Sequence, residues 1–543
     1  MKILGVKTTH DGAIALLDNA KLRFSIEQEK DSHARNSSLS MAAVMKSLER
    51  MDDFPDVIAV GGWRDFAAGY SGIDRVQHGR RRFLGREVEC FSSSHERSHL
   101  FCAYAMSPFK AKQPCYVLTW EGELGSFYRI GESMEITAFP PVLFSPAPRY
   151  TYLYYLAKKT PAPVPKWFET HDMAGKLMAL AAGGRNAPCT ADEQRIVDYL
   201  LSPDVREPGQ IVSQLPSDKA ALPFATPFRD IGEQSQACMD AALKLSEALF
   251  DVFHRFAAAH LKERLPLLVN GGCGLNCYWN SKWKDSGLFS DVFVPPCPND
   301  SGSAIGTAAD AQHFYTGNPK ISWSVYAGEE FLDDAPAPQG WTPAKLNLER
   351  VAAYLRAGGV VAWVQGKYEI GPRALGNRSL LAAPFSAAMT AELNRIKQRE
   401  AYRPIAPVCL EEDVGEHFHW TGPSPYMLYF QKVKNPTLHA VTHVDGSARV
   451  QTVARKQNPA LHDLLRAFKR IAGVGVLCNT SLNFKGKGFI NKASDLFGYA
   501  AETGIGLMVV NGRMLERSSI GAERAPQKQP AGASAVREAL RVS

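Results

Sequence analysis

The first thirty residues alternate apolar and polar positions in three runs, KILGVKT, GAIALLD and KLRFSIEQE, with Asp18-Asn19 as a turn between the last two. A period of two marks half-buried strands, so the chain is expected to open on an antiparallel meander. The period then lengthens. SLSMAAVMKSLERM carries apolar residues at helical spacing, with Ser38 or Ser40 near its N-terminus as a cap. Beyond it, the strand-like runs DVIAVGGW, REVECF and CYVLTW alternate with a helical run that starts at His95. Further on, LPLLV at 265–269 runs into a glycine turn and a helix, and DVFVPP runs into another turn and the helix SGSAIGTAADAQHF. This alternation predicts α/β layering around a sheet.

From about 316 to 349 the periodicity disappears and Pro, Gly and acidic residues accumulate, which reads as a linker. A second α/β segment starts with the helix LERVAAYLRAG and the strand GVVAWVQ and continues to about 515. A chain of 543 residues with 45% hydrophobic content can bury more than one core. The division expected is therefore 1–340, 341–515 and a flexible, Ala/Pro-rich C-terminal tail over 516–543.

Composition narrows the function classes. No stretch approaches the roughly 18–20 apolar residues of a membrane span, and MKILGVKTTHDG lacks the apolar block of a signal peptide, so a cytoplasmic protein with no membrane partner is expected. The ten cysteines are scattered without a CxxC pair, which suits buried reduced thiols. The net charge of +7 is dispersed apart from GRRRFLGR at 79–86; it suits phosphate-bearing small ligands and argues against nucleic acid.

Several short stretches carry candidate chemistry. THDG places His10 and Asp11 at the tip of the first hairpin, where an ordinary Asp-Gly turn is the competing reading. His95 and His99, four apart, share one helix face and can reach a single ion, although spacing alone favours two solvated or hydrogen-bonded histidines. Glu121 in TWEGELGS follows a strand directly. Two glycine turns, NGGCGLN (Gly271, Gly272, Gly274, Asn276) and CPNDSGSAIG (Asp300, Gly302), could bring backbone N–H groups to a phosphate at a helix N-terminus, with Asp300 placed to ligate a metal. In the second segment cations sit beside glycines instead of on a periodic helix face: Arg373 and Arg378 in GPRALGNRS, Lys397, Arg399 and Arg403 in NRIKQREAYRPIAP, His443 and Arg449 in HVDGSARVQTV, and Asn479 and Ser481 in CNTSLNFKGKG. That placement favours anion binding over a solvated charged surface.

Taken together, GPRALGNRS, HVDGSARVQTV, CNTSLNF, RPIAP and PNDSGSAIG, with the shorter THDG, HERSH, GKLMALA and NGGCGLN, resemble the carbamoyltransferase family that includes the tobramycin, cephem, novobiocin and nodulation-factor O-carbamoyltransferases. The matches run in family order over nearly the whole chain. The resemblance implies an actin-like N-terminal domain, similar to the tRNA threonylcarbamoyl-transfer enzyme, followed by an α/β domain similar to threonylcarbamoyl-AMP synthase. It implies ATP and carbamoyl phosphate as co-substrates, Mg2+, and a bound Fe2+ or other divalent ion. Carried over by position, His95, His99, Glu121 and Asp300 are the expected metal ligands, and His10 with Asp11 the expected catalytic pair, His10 as general base. Gly271, Gly272, Gly274, Asn276 and Gly302 would line the N-terminal nucleotide site. Arg373, Arg378, Lys397, Arg403, Arg449, Asn479 and Ser481 would hold carbamoyl phosphate and ATP. The acceptor would be a hydroxylated small molecule of secondary-metabolite type, and the protein a homodimer.

The chain also departs from the family. Glu121 stands where the family usually has Asp, and IEQEKDSHARNSS keeps Glu27, Glu29 and Arg35 but loses the usual basic-histidine ending. Two rival readings follow from the same residues: a tRNA-modifying threonylcarbamoyl-type transferase, and a non-catalytic nucleotide-binding regulator.

Overall fold

The computed structural model describes residues 1–518 except 33, 63–67, 84, 160–170 and 203–221; the tail expected from 516 lies almost wholly outside the described residues. The opening meander forms as expected, with Lys2–Lys7, Ala13–Asp18 and Lys21–Glu27 paired antiparallel. Its second turn falls at Asn19-Ala20, both with positive φ (49° and 63°), which matches the right-handed twist of a two-residue hairpin. The meander continues into a six-stranded sheet through Val57–Gly61, Arg86–Ser93 and Val76–Phe83. Ser40 is the residue that caps the helix Met41–Leu48, its side chain accepting from the N–H of Ala43.

A five-stranded sheet follows in the order Val292–Phe293, Leu267–Asn270, Cys115–Trp120, Gly125–Ile130, Ile136–Ala138. The run DVFVPP gives only a two-residue strand, because Pro295 and Pro296 cannot donate to the ladder. Helices His95–Met106 and Ser303–Thr316 pack against each other. A Cβ at Gly306 would lie 1.8 Å from Ser98 O, and one at Gly5 2.1 Å from Ala304 O, so glycine alone permits these backbone approaches. A large aromatic core, including Trp120, Trp279, Trp283 and Phe253, joins the second sheet to the long helix Gln236–His260.

The C-terminal half is built on a mixed eight-stranded sheet in the order Trp341–Lys345, Arg513–Arg517, Leu507–Val510, Val361–Val364, Arg378–Ala382, Val476–Ser481, Ala406–Leu410, Gln451–Val453. Leu348–Arg356 and Pro459–Ala472 bury their apolar stripes against one face of it. The stretch 316–349 is not a loose linker. Ile321, Ala327 and Phe331 are buried, Glu329 pairs with Lys46 and Arg50, and Trp341–Lys345 is a sheet strand. It lacks periodicity because it is extended and anchored singly to both halves: Ser25 N donates to Ala327 O (2.8 Å), and Ile370 N to Val325 O (2.8 Å).

All ten cysteines are unbridged and nine are buried. Among the described residues, no helix is long and apolar enough to cross a membrane.

Candidate active site

The helix His95–Met106 starts abruptly because Ser94, in extended conformation, caps it by accepting from the N–H of Arg97. Arg97 in turn grips Asp310 with two hydrogen bonds (2.8 and 2.6 Å), fixing this helix to Ser303–Thr316. The consequence is a buried convergence of four side chains from three parts of the chain. His99 Nε2 lies 3.1 Å from His95 Nε2, 3.0 Å from Glu121 Oε2 and 3.3 Å from Asp300 Oδ1. His95 Nε2 lies 3.3 Å from the same two carboxylate oxygens. Donors about 2.0–2.2 Å from one ion sit roughly 3 Å from one another, so these spacings fit a single coordination shell.

The surroundings orient each donor. His99 Nδ1 faces Asn270 Oδ1 at 3.2 Å, which leaves Nε2 directed at the cluster. Tyr70 stacks on His95 (ring centroids 4.7 Å apart) and donates its hydroxyl to Glu121 Oε1. Lys7, wholly buried, lies 3.2 Å from Asp300 Oδ2 and donates to Thr9 Oγ1. Burial opposes ionisation of both carboxyls, but the two imidazoles hold Glu121 well below its usual range, and His95 and Lys7 do the same for Asp300. For His99 burial opposes protonation, while Glu121 and Asp300 outweigh it and raise the group well above its ordinary value. Two buried carboxylates thus require compensating positive charge, which the imidazoles and Lys7 supply and which a divalent ion held by the four donors would also supply. His10 reaches the rim of this cluster: its Nδ1 is 3.5 Å from Asp300 Oδ2 and 3.6 Å from Asp11 Oδ2, with Asp11 itself at φ 51°.

The glycine turns serve packing as much as access. Gly271 has φ 89°, and a Cβ there would lie 2.4 Å from Trp120 O; at Gly302 it would lie 2.2 Å from Cys297 O. Gly274 abuts Pro298 at 3.0 Å, and Gly272 faces open space. Asn276 Oδ1 caps the helix Cys277–Asp285 by accepting from Tyr278 N and Trp279 N.

The same turn leads to a cationic pocket. Arg373 donates to Leu275 O at 3.3 Å, four residues beyond Gly271. Burial, then Arg449, Arg403 and Arg35, push the Arg373 guanidinium down to about 9; burial with Arg403 and Arg449 does the same to Arg399. Arg373 Nε, Arg449 Nε and Asn479 Oδ1 are buried without a hydrogen-bond partner among the described residues. Arg403 pairs with Glu400 at 4.0 Å, and Glu400 is held by Lys176 at 3.1 Å; a Cβ at Gly175 would lie 3.9 Å from the Arg403 guanidinium. The two unpartnered guanidinium nitrogens among like charges make this a candidate anion site.

Three residues of the expected phosphate set are spent differently. Arg378 is fully buried, and its five N–H groups go to Asn491 Oδ1, Gln365 O, Asn377 O and Gly366 O at 2.7–3.1 Å, so it braces a loop and no donor is left to fork onto a phosphate. Lys397 directs its ammonium at Ser481 O (2.7 Å), Asn483 O (2.8 Å) and Asn483 Oδ1, and burial holds it well below its usual value. Ser481 Oγ donates to the same Asn483 Oδ1 at 2.6 Å.

Tyr70, Lys7, Asn270 and Asn483 are site residues that sequence reasoning passed over. Lys7 had a signal: with Ile3 and Gly5 it occupies the inward face of a strand, an unusual place for an ammonium. Tyr70 sits in an irregular stretch with none.

A buried two-histidine, two-carboxylate cluster lies one turn away from a buried arginine pocket, an arrangement suited to group-transfer chemistry. The relatives make the class specific. Family models for the carbamoyltransferase C-terminus and N-terminus match residues 352–517 and 239–309. The chain is 47% identical to the 3'-hydroxymethylcephem-O-carbamoyltransferase of Amycolatopsis lactamdurans, covering 95% of this chain and 100% of that one. It is 46% identical to the enzyme of the same description from Streptomyces clavuligerus (94% and 98% covered) and 33% identical to nodulation protein U of Rhizobium tropici (91% and 93% covered). The chain belongs to the carbamoyltransferase family, and it is an enzyme of that class. Among solved structures, a 2-dehydro-3-deoxygalactonokinase from Sinorhizobium meliloti aligns over 58% of this chain and 99% of its own at 12% identity, with a TM-score of 0.31 that is too low to assign a fold.

Proposed function

We propose that the protein carries out ATP-dependent O-carbamoylation of a small acceptor bearing a hydroxymethyl group, of the cephem kind named for its relatives. The observation that carries this reading is the single turn from Asn270, which orients His99, to Leu275, which anchors Arg373. It joins a metal-type cluster to an anion pocket. In the arginine pocket, carbamate released from carbamoyl phosphate by hydrolysis attacks the α-phosphorus of ATP, forming carbamoyl adenylate and releasing pyrophosphate. Arg373, Arg403 and Arg449, with Arg399, offset the phosphate charge there. His95, His99, Glu121 and Asp300 would hold a divalent ion, Fe2+ being the family expectation, which as a Lewis acid would neutralise the adenylate phosphate. The acceptor oxygen attacks the carbamoyl carbon, the bond to AMP breaks, and His10 takes the hydroxyl proton. Asp11 and Asp300 orient the His10 ring.

The rest of the assignment belongs to the same proposal: an actin-like domain over 1–340, a threonylcarbamoyl-AMP synthase-like domain over 341–515, Mg2+ accompanying ATP, a homodimer, and cytoplasmic operation. The test is pyrophosphate release from ATP and Mg2+ with and without carbamoyl phosphate, followed by addition of a 3'-hydroxymethylcephem. Release that depends on carbamoyl phosphate, and AMP with carbamoylated product on adding the acceptor, is the expected result. Release that ignores carbamoyl phosphate overturns the adenylate route; adenylation without product overturns the acceptor.

A further inference from the structure

The turn that carries Arg373 is gripped from the other half of the molecule. Glu27 and Lys30, both 3% exposed, form a 2.9 Å ion pair that inserts into the C-terminal half. Lys30 Nζ donates to Glu369 O (2.5 Å) and Gly371 O (2.8 Å), and Gly371 N donates back to Glu27 Oε1 at 2.6 Å. The ammonium lies 5.1 Å from the ring centroid of Tyr368 and 5.0 Å from that of Phe489, both in the C-terminal half. Gly371, at φ 82°, has no room for a side chain: a Cβ would meet Pro296 O at 2.1 Å, three residues before Asn299 and the ligand Asp300. Gly488 closes the other side, where a Cβ would lie 2.3 Å from Glu29 O.

The plug is equally tied to the His10 turn. Glu27 ends the strand Lys21–Glu27 opposite Ala13, and Gln28 N donates to Gly12 O at 2.8 Å. On the far side, Glu369 Oε1 accepts from the N–H groups of Leu375 (2.7 Å) and Asn377 (2.6 Å), which fixes the loop around Arg373. A continuous set of short hydrogen bonds therefore runs from the His10 turn through Glu27 and Lys30 to the arginine pocket.

We propose that Glu27 and Lys30 are positioning residues for the carbamoyl phosphate site: they hold the Arg373 turn in register with the His10 and Asp300 turns. This rests on the function proposed above. A buried, fully hydrogen-bonded ion pair contributes defined geometry more than stability, which is what alignment of two half-sites requires. Neither residue touches the reacting atoms, and their ties to the His10 turn are main-chain bonds that a side-chain substitution spares, so the effect falls on the half-reaction whose arginine they place.

The test uses the full chain with Lys30→Met and with the double substitution Glu27→Gln, Lys30→Met. The double variant retains an acceptor for Gly371 N and leaves no unpaired buried charge, so it preserves folding where the single variant does not. Two rates are measured: pyrophosphate release against carbamoyl phosphate concentration, and carbamoyl transfer to the cephem acceptor from supplied carbamoyl adenylate. The expected result is a KM for carbamoyl phosphate raised roughly 10- to 100-fold with transfer from adenylate nearly unchanged, since small misplacement of a binding group has effects of that size. An unchanged KM in a folded double variant overturns the proposal. So does an equal loss of both half-reactions, which marks a merely structural pair. If the wild-type enzyme itself shows no release dependent on carbamoyl phosphate, the underlying function fails first and the positioning role falls with it.

Discussion

Replacing Arg373 by Met separates charge from bulk, because the thioether fills similar space without a cation. Burial and the neighbouring arginines lower the Arg373 guanidinium from 12.5 to about 9. At 1.36 kcal/mol per unit this corresponds to roughly 5 kcal/mol of unfavourable free energy attached to the charged form. The side chain stays charged at neutral pH, so the folded protein carries that penalty whenever no anion is bound. Solvent entering the pocket screens part of it, and the measurable gain from Arg373→Met should be about 1–3 kcal/mol. In the wild type a bound anion offsets the same penalty, and a ligand at a hundredfold excess over its Kd adds about 2.7 kcal/mol to stability. Thermal unfolding with and without carbamoyl phosphate reads both quantities. Arg373→Met should melt higher than wild type without ligand and show no rise on adding carbamoyl phosphate. A variant that melts lower yet keeps its ligand-dependent rise would refute the electrostatic reading of this pocket.

Three further outcomes follow from the geometry. His99→Ala should abolish stoichiometric binding of a divalent ion, and Asn270→Ala, which frees the His99 ring, should weaken it roughly 10- to 100-fold; metal analysis after dialysis reads both. Gly306→Ala should destabilise the protein by about 1–3 kcal/mol in urea unfolding, because its Cβ would lie 1.8 Å from Ser98 O and force the two helices apart. Asp240 is lowered to about 2: burial works against this, but the hydrogen bonds from Arg185 and Gln236 prevail. A depressed carboxyl contributes its stability fully above the unfolded value of 3.8 and loses it as pH falls towards 2. The stability gap between wild type and Asp240→Asn should therefore be constant at neutral pH and shrink over that window.

Runs with one buried and one wet face, such as the strand Lys21–Glu27 and the helix Leu348–Arg356, were legible from period; the helix at His95 and the strand Val361–Val364 are buried on all sides and were legible from their apolar content and flanking turn residues. The segment 316–349 was not, because an extended chain held by isolated hydrogen bonds leaves no periodic trace. The four metal-type donors were nominated by the family resemblance, spacing alone leaving His95 and His99 open, but the partners that aim them, Asn270, Tyr70 and Lys7, come from distant positions that only the fold assembles. Arginines beside glycines suggested an anion pocket, and the structure clusters Arg373, Arg399, Arg403 and Arg449, yet sequence could not divide the set. Arg373 and Arg378 sit five residues apart in one motif, and one has an unpartnered buried nitrogen while the other has all five N–H groups committed to the protein. Backbone carbonyls decide that difference, and they carry no sequence signal.

The pairing of Trp341–Lys345 with Arg513–Arg517 limits how the protein can be cut. A fragment beginning at residue 350 would retain the arginine pocket but leave Arg513–Arg517 as an uncovered edge, with a row of N–H and C=O groups open to any other chain. Such a fragment should self-associate, whereas one beginning before 341 ends on Trp341–Lys345, an exposed edge strand that Pro343 and Lys345 blunt against further pairing. The polypeptide that joins the two halves is thus also the guard that keeps the second from polymerising.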